Sequence, residues 1–282
     1  MLIGIISALS LSVAALVCAL GGAFGGLGWL WLLPAAFLGS FLLCLILWFF
    51  LLMCICRSVD MEKEQTEDNR FSRAVIGLTI DALVVLLRIR IHVEGLEKLP
   101  KEGRFMLVCN HLHISDPVVL LKVFKKQQLA FISKRENDTL PIVGPLLHSI
   151  LCQSINREND REALKTILNC IRLLKEDKVS IAVFPEGYIK DDGLMHPFRG
   201  GVFKIAQKAK VPVVVCTLRG TQYLFDNLKK FRPAHIELHL LDVIPAEALE
   251  GRTAIDVSDQ AYEMMAKDLG PELVWQEKPE ET

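Results

Sequence analysis

The chain has 282 residues, 51% of them hydrophobic and 23% charged, with a formal net charge of −1. That length suits one large domain or two small ones, and the apolar share is high for a protein that meets water on every side. A near-neutral balance without an extended basic face excludes the usual footprint of a nucleic-acid binder.

The apolar excess sits at one end. Between Met1 and Cys56 there is no Asp, Glu, Lys, Arg or His, and the first charged side chain is Arg57. A segment in water needs polar residues at helical or strand period, so this one belongs in lipid. One crossing takes about 20 apolar residues, and the stretch holds two: a helix over 3–20 and a second over 34–56. GGAFGGLG at 21–28 and Pro34 supply the turn, with Trp29 and Trp31 at the far interface, where indole rings settle. A cleavable signal peptide would open on a basic region, which is missing. Arg57, Lys63, Arg70 and Arg73 follow the second helix, and cations stay on the cytoplasmic side. The expectation is a multi-pass protein of the cell membrane whose following domain faces the cytoplasm. Cys18, Cys44, Cys54 and Cys56 lie in the lipid segment, and Cys109, Cys152, Cys170 and Cys216 beyond it, with no CxxC spacing. Scattered in this way, they read as reduced thiols of a cytosolic compartment.

Residues 57–70 form a polar linker. Residues 71–88, FSRAVIGLTIDALVVLLR, form a helix too polar to cross and too apolar to stand free, hence interfacial or packed on a core. From 89 onward strands and helices alternate. A strand carries Ile89, Ile91 and Val93; GLEKLPKEG turns the chain; 104–109 is a buried strand; 117–126 is a helix and 129–133 a strand. An amphipathic helix over 158–176 puts Ala163, Leu164, Ile167, Leu168, Ile171 and Leu174 on one face. Strands at 179–184, 211–216 and 235–243 and helices at 198–208 and 257–269 complete the pattern. It predicts an α/β domain with a central mixed sheet flanked by helices, preceded by the two-helix transmembrane hairpin. The boundaries are 1–56 for the hairpin, 57–88 for the linker and interfacial helix, 89–270 for the catalytic domain and 271–282 for a charged tail. Neither GxGxxG nor GxxxxGK[ST] is present, so no nucleotide-binding fold is favoured. Lys122, Lys125, Lys126, Lys134, Arg135, Arg157 and Arg161 form a local cationic window suited to anionic headgroups or a phosphorylated ligand, or simply a solvated face.

Residues 110–117, NHLHISDP, carry the chemistry. An Asp-Pro pair opening a helix makes Asp116 the expected N-cap and Pro117 the first helical residue, but this leaves His111 and His113 unexplained. Zinc wants three or four converging ligands, and His92, His148, His196, His235 and His239 do not supply them at ligand spacing. An imidazole can take a proton from an alcohol when a second group fixes its tautomer and stabilises the imidazolium. Asp116 can do this for His111 if the loop folds back. Ser115 sits in no nucleophile elbow, so direct attack by a substrate hydroxyl is preferred to a covalent enzyme intermediate, and His113 is left as structural.

NHLHISD resembles the N-H-x4-D signature of the glycerolipid acyltransferases, most of all the bacterial 1-acyl-sn-glycerol-3-phosphate acyltransferases. Further matches follow in order: GLEKLP, Lys134 with Pro141 and Gly144, INR at 155–157, FPEG at 184–187 and VPVVV at 211–215. The resemblance implies an O-acyltransferase (EC 2.3.1) in phospholipid biosynthesis. It would move a fatty acyl group from acyl-CoA or acyl carrier protein to the hydroxyl of a lysophospholipid in the membrane, giving phosphatidic acid from 1-acyl-glycerol-3-phosphate. It also implies the roles: His111 as base, Asp116 holding it, Lys134 and Arg157 near the acceptor phosphate, Glu186 on the glycerol backbone or supporting the site, and Gly187 allowing close backbone approach. No metal or redox cofactor is called for, because a thioester is already activated and its oxyanion needs only aligned N–H donors. The family's third block continues FPEGTRS, whereas this chain reads FPEGYIK: Ile189 stands where a phosphate-binding arginine is expected, with Lys190 and Arg199 as possible replacements. A metal-dependent hydrolase using His111, His113 and Asp116 and a catalytically silent membrane scaffold are the alternatives.

Overall fold

The computed structural model describes residues 1–156, 159–190 and 192–276. Helix α1 (Leu2–Leu20) and helix α2 (Trp29–Arg57) form an antiparallel hairpin closed by Gly22, which takes φ 66°, and a short 3-10 turn. The buried residues of α1, namely Leu2, Ile6, Ser10, Ala14 and Cys18, repeat every fourth position as a stripe, the spacing that keeps side chains on one helix face. Ser40 on α2 reaches the Ser10 carbonyl at 3.3 Å. Both helices are long and apolar enough to cross a membrane. The second starts at Trp29 rather than at 34; Pro34 lies inside it as the sixth residue, where it removes one backbone bond, the one to the Leu30 carbonyl.

Helix α3 (Arg70–Leu86) is capped by Asn69, whose side chain accepts from the Ser72 N–H at 3.0 Å. Its charges turn inward. Arg73 pairs with Asp68 at 2.7 Å and donates to the Leu129 carbonyl at 3.0 Å, and Asp81 pairs with Lys122. Of the two sequence expectations, the packed helix is the one observed. Ala82 receives Leu2 and Ile6 of α1, Val75 packs with Leu52 and Cys56 of α2, and Ile76 and Ile80 meet Ile150 of the following domain.

That domain is built on seven strands: β1 (Ile89–Glu94), β2 (Met106–Cys109), β3 (Leu129–Lys134), β4 (Gln153–Ile155), β5 (Ser180–Val183), β6 (Val213–Arg219) and β7 (Ala234–Ile244). Their order is β1-β7-β6-β2-β5-β3-β4. The run β6-β2-β5-β3-β4 is parallel, β7 is antiparallel to β6, and β1 is parallel to β7. The sheet is therefore mixed. Helices α4 (Asp116–Val123), α5 (Val143–Ser149), α6 (Asp160–Lys175), α7 (Lys204–Ala209), α8 (Leu224–Lys229) and α9 (Ala254–Leu269) complete the domain. Alternation along β2 divides its core: Met106 and Val108 pack with residues of α6, α7 and α9, while Leu107 and Cys109 pack with α4 and Leu224 of α8. The central strands are buried throughout, as expected of a parallel sheet covered on both faces. Because β2, β5, β3 and β4 run the same way, the loops that leave their C-terminal ends gather at one edge, where open α/β sheets bind ligands.

Strand β4, helix α5 and helix α8 are elements that the sequence pattern did not disclose. The opening residues of the expected tail are also held: Met195 N–H donates to the Leu273 carbonyl at 2.8 Å and Trp275 N–H to the Met195 carbonyl at 2.9 Å.

Candidate active site

The segment NHLHISDP leaves the C-terminal end of β2. Asn110, fully buried, fastens the exit by pairing with the backbone of β6: its amide donates to the Leu218 carbonyl at 2.9 Å and its oxygen accepts the Leu218 N–H at 2.7 Å. The loop then folds back on Asp116. One carboxylate oxygen, Oδ2, accepts from His111 Nδ1 at 2.8 Å, from the Leu112 N–H at 2.7 Å and from the His113 N–H at 2.8 Å. Asp116 is fully buried and its Oδ1 has no partner among the described residues. The expected N-cap needs correcting: Ser115 precedes the first helical residue, Asp116 is that residue, and its side chain serves the loop ahead of α4 instead of the helix amides behind it. Three loop donors converge on that oxygen, and three charge-assisted bonds outweigh the one or two that a cap would make.

The Asp116 contact occupies Nδ1 of His111, and Nε2 has no partner among the described residues. The ring lies flat on Phe184, centroids 4.0 Å apart and planes 13° apart, which limits its tilt. Phe184 opens the turn after β5, where the Gly187 N–H returns to the Phe184 carbonyl at 3.0 Å and Gly187 adopts φ 83°, a conformation natural to glycine. Glu186, 1% exposed, ties the two loops together: Oε1 accepts the His111 N–H at 2.7 Å and Oε2 accepts the His196 N–H at 2.8 Å. Burial pushes its carboxyl up to about 8, against the pull of these two donors. Both oxygens are thus committed to the protein backbone. Of the two roles implied for Glu186, support of the site is the one this geometry offers, and contact with the acceptor is not.

His113 turns away from His111. Its Nδ1 lies 2.8 Å from Ser115 Oγ, its ring meets Phe225 edge-on at 4.8 Å, and burial holds its imidazole below the usual range. Among the described residues no three His, Cys, Asp or Glu side chains come together at metal-ligand spacing. A cavity of about 350 Å³ opens beside the loop that carries the dyad; Leu112, His113, Ile114, Ile189, Lys190 and Gln222 are among its lining residues, and His111 and Asp116 are not. FPEGYIK thus places an apolar Ile189 and a cationic Lys190 in the cavity wall. The Lys190 ammonium stands 5.6 Å from the Tyr188 ring and 5.8 Å from that of Trp275, within cation–π range. The side chain of His196 is buried and pairs with Asp192 at 2.8 Å.

Lys134 ends β3 at the same edge of the sheet, more than half exposed and paired with Glu136 at 2.9 Å. Arg157 lies outside the described residues; the chain before it leaves β4 at Ile155, also at this edge. Asn110, Phe184 and His196 escaped the sequence reading. Asn110 opens its motif and Phe184 opens FPEG, so both stood within segments already singled out; His196 follows nine residues after Gly187.

The family model described as acyltransferase matches residues 90–219, the span that contains both loops. Over that span the chain resembles the acyltransferase family. A 1-acyl-sn-glycerol-3-phosphate acyltransferase of Chlamydomonas reinhardtii is 32% identical over 188 residues, covering 66% of this chain and 54% of that one. The beta enzyme of the same name from Homo sapiens is 26% identical over 185 residues, 65% of each chain. The crystal structure of the 1-acyl-sn-glycerophosphate acyltransferase PlsC from Thermotoga maritima shares the fold, with a TM-score of 0.60 over 76% of this chain and 86% of that one at 23% identity. The chain spans about half or less of the algal and plant relatives, 54% of the first and 37% of a chloroplastic one from Brassica napus.

Proposed function

We propose that the protein is a membrane-bound O-acyltransferase (EC 2.3.1) that transfers a fatty acyl group from a thioester to the free hydroxyl of 1-acyl-glycerol-3-phosphate or a related lysophospholipid. The observation that carries the reading is the dyad: His111 Nδ1 is held 2.8 Å from a fully buried carboxylate, beside a cavity and at the binding edge of the sheet. The names of its relatives agree with it.

Asp116 keeps the proton on Nδ1, so Nε2 is the basic nitrogen. It removes the proton of the acceptor hydroxyl as that oxygen attacks the thioester carbonyl. The tetrahedral intermediate then expels the thiolate, which takes the proton back from the imidazolium and leaves as a thiol. A C–O bond replaces a C–S bond and one proton makes a return journey, so the reaction as written needs no oxidant and no metal. Acyl-CoA or acyl carrier protein is the donor. Lys134 and Arg157 are assigned to the acceptor phosphate, Lys134 exchanging Glu136 for it. Lys190, in the cavity wall, joins them in place of the arginine that the family has at the position of Ile189. Glu186 holds the two loops together, and Gly187 shapes the turn that presents it. The hairpin spans the cell membrane twice, and Arg57, Lys63 and Arg70 keep the domain on the cytoplasmic side.

The test is an acyl-transfer assay of the purified chain in proteoliposomes. Acyl-CoA and acyl carrier protein donors are set against a panel of lysolipids and glycerol 3-phosphate, and products are read by mass. A lysophospholipid should gain one acyl chain. Acylation of no lysolipid, or activity lost on chelation and restored by zinc, refutes the reading.

A further inference from the structure

The surface segment 223–232, YLFDNLKKFR, touches the site described above where Phe225 meets His113. Within it Leu224 is buried, whereas Tyr223, Phe225, Leu228 and Phe231 are exposed, Phe231 to 86%. Helix α8 ends there with two backbone bonds, from the Phe231 N–H to the Leu228 carbonyl at 3.0 Å and from the Arg232 N–H to the Asn227 carbonyl at 2.8 Å. This is the Schellman closure, whose left-handed residue is usually glycine. Here Phe231 occupies it, at φ 52°. A phenyl group in that conformation is strained and gains nothing from water, so folding alone would favour glycine.

Three observations describe the setting of this side chain. The first is continuity: Arg88, in the turn that ends α3, donates to the Phe231 carbonyl at 2.6 Å. Val85 and Leu86 beside it are exposed to 57% and 43%, and α3 is the helix on which the apolar hairpin rests. The second is charge: Lys229, Lys230, Arg232 and Arg88 are all exposed, and Asp226, the lone acid of the segment, lies 3.5 Å from Lys229. The third is position: the Phe225 ring meets His113, and Ile114, 69% exposed, lines the cavity. Aromatic side chains among lysines and arginines are what the headgroup layer of an anionic leaflet attracts.

We infer that residues 223–232, with Ile114, form a membrane-contact surface that settles into the anionic leaflet entered by the hairpin, so that the mouth of the cavity opens on lipid. The inference rests on the membrane-bound reading above and adds to it a second contact with the leaflet, made by the catalytic domain.

The full chain in nanodiscs of equal parts phosphatidylcholine and phosphatidylglycerol, carrying a phospholipid with a photoactivatable diazirine on its acyl chain, tests this without any need for turnover. Peptide mass mapping should find labels in α1 and α2 and also in 223–232. Ile255, on α9 at the opposite face of the sheet and 63% exposed, should stay unlabelled. Replacing Lys229, Lys230 and Arg232 with glutamine should cut labelling of the segment at least about tenfold, since each cation near an anionic surface contributes on the order of 1 kcal/mol. Phe231→Gly, which relieves the backbone, should melt no lower than the wild type and still lose label from the segment. Labels confined to α1–α3, or equal on Ile255, overturn the inference and leave the hairpin reading intact. Labels nowhere overturn both. Whether lysolipid is acylated is decided separately by the transfer assay.

Discussion

Asp116→Asn separates charge from geometry at the dyad. Among the described residues, all three hydrogen bonds to the Asp116 side chain fall on Oδ2, and Oδ1 has no partner. An asparagine whose amide oxygen takes the Oδ2 position keeps the loop as it is and places its NH₂ where Oδ1 stands, exchanging one unpaired buried atom for another. What vanishes is the negative charge 2.8 Å from the imidazole. At an effective dielectric of about 20, opposite unit charges at that distance attract by at most about 6 kcal/mol. Positioned acid–base catalysis contributes typically about 10²- to 10⁴-fold, and that range corresponds to about 2.7–5.4 kcal/mol, inside the ceiling. The expected result is a kcat lower by about a hundred- to ten-thousand-fold with KM changed by no more than a few-fold, because Asp116 is fully buried and touches no acceptor atom. Initial rates of acyl transfer in proteoliposomes and a melting curve of the same preparation measure both halves. A variant that melts with the wild type and keeps kcat within about tenfold would show that the carboxylate is a loop fastener and nothing more.

Glu186 adds a pH dependence to stability. Its carboxyl sits at about 8 when folded against an ordinary value of 4.5, so the folded chain binds that proton more tightly and loses stability as pH rises from about 4.5 through about 8. The melting temperature of the wild type should therefore fall relative to that of Glu186→Gln, whose side chain does not titrate, as pH rises from about 4.5 through about 8; a difference that stays constant or moves in favour of the wild type refutes the assignment. In Asn110→Ala the N–H and the carbonyl of Leu218 both lose their side-chain partner in a fully buried setting. An unpaired buried group costs about 1–3 kcal/mol, so chemical denaturation should show a loss of at least that size. An unchanged midpoint would mean that the loop exit is held by something else.

The alternation of strands and helices was legible because β2, β5 and β6 are short, mainly apolar runs bounded by turn residues, a pattern consistent with the strands of a covered sheet. The elements that stayed hidden are those whose order comes from their neighbours. Gln153–Ile155 is a strand because Lys134, Ser133 and Ile132 offer it a partner, and α8 is six residues long with Leu224 as its one buried side chain. Helix α3 could be read as packed or interfacial from its composition, and the choice depended on acceptors far away in the chain, the carbonyls of Leu129 and Ile150 for Arg73. In the site, the pairing of His111 with Asp116 was visible because both residues belong to one strand–loop–helix unit. The bond between Glu186 and the His111 N–H was not, since it spans 75 positions and its donor is a backbone amide that any residue supplies. The same holds for His196, which enters through its main chain, so a search for imidazole ligands passed over it.

Parallel topology is the physical link that makes the two motifs one site. Strands β2 and β5 are hydrogen-bonded neighbours with Val108 beside Val183, so the chain leaves both at the same edge and within a few residues of the pairing. NHLHISDP and FPEG must then meet whatever lies between them in sequence. Once they meet, the His111 N–H at the end of one strand needs an acceptor in a place closed to water, and the acidic residue two positions after Phe184 is in reach to provide it. The glutamate of the second motif is thus accounted for by a demand that the first creates, and its high pKa follows from meeting that demand under burial.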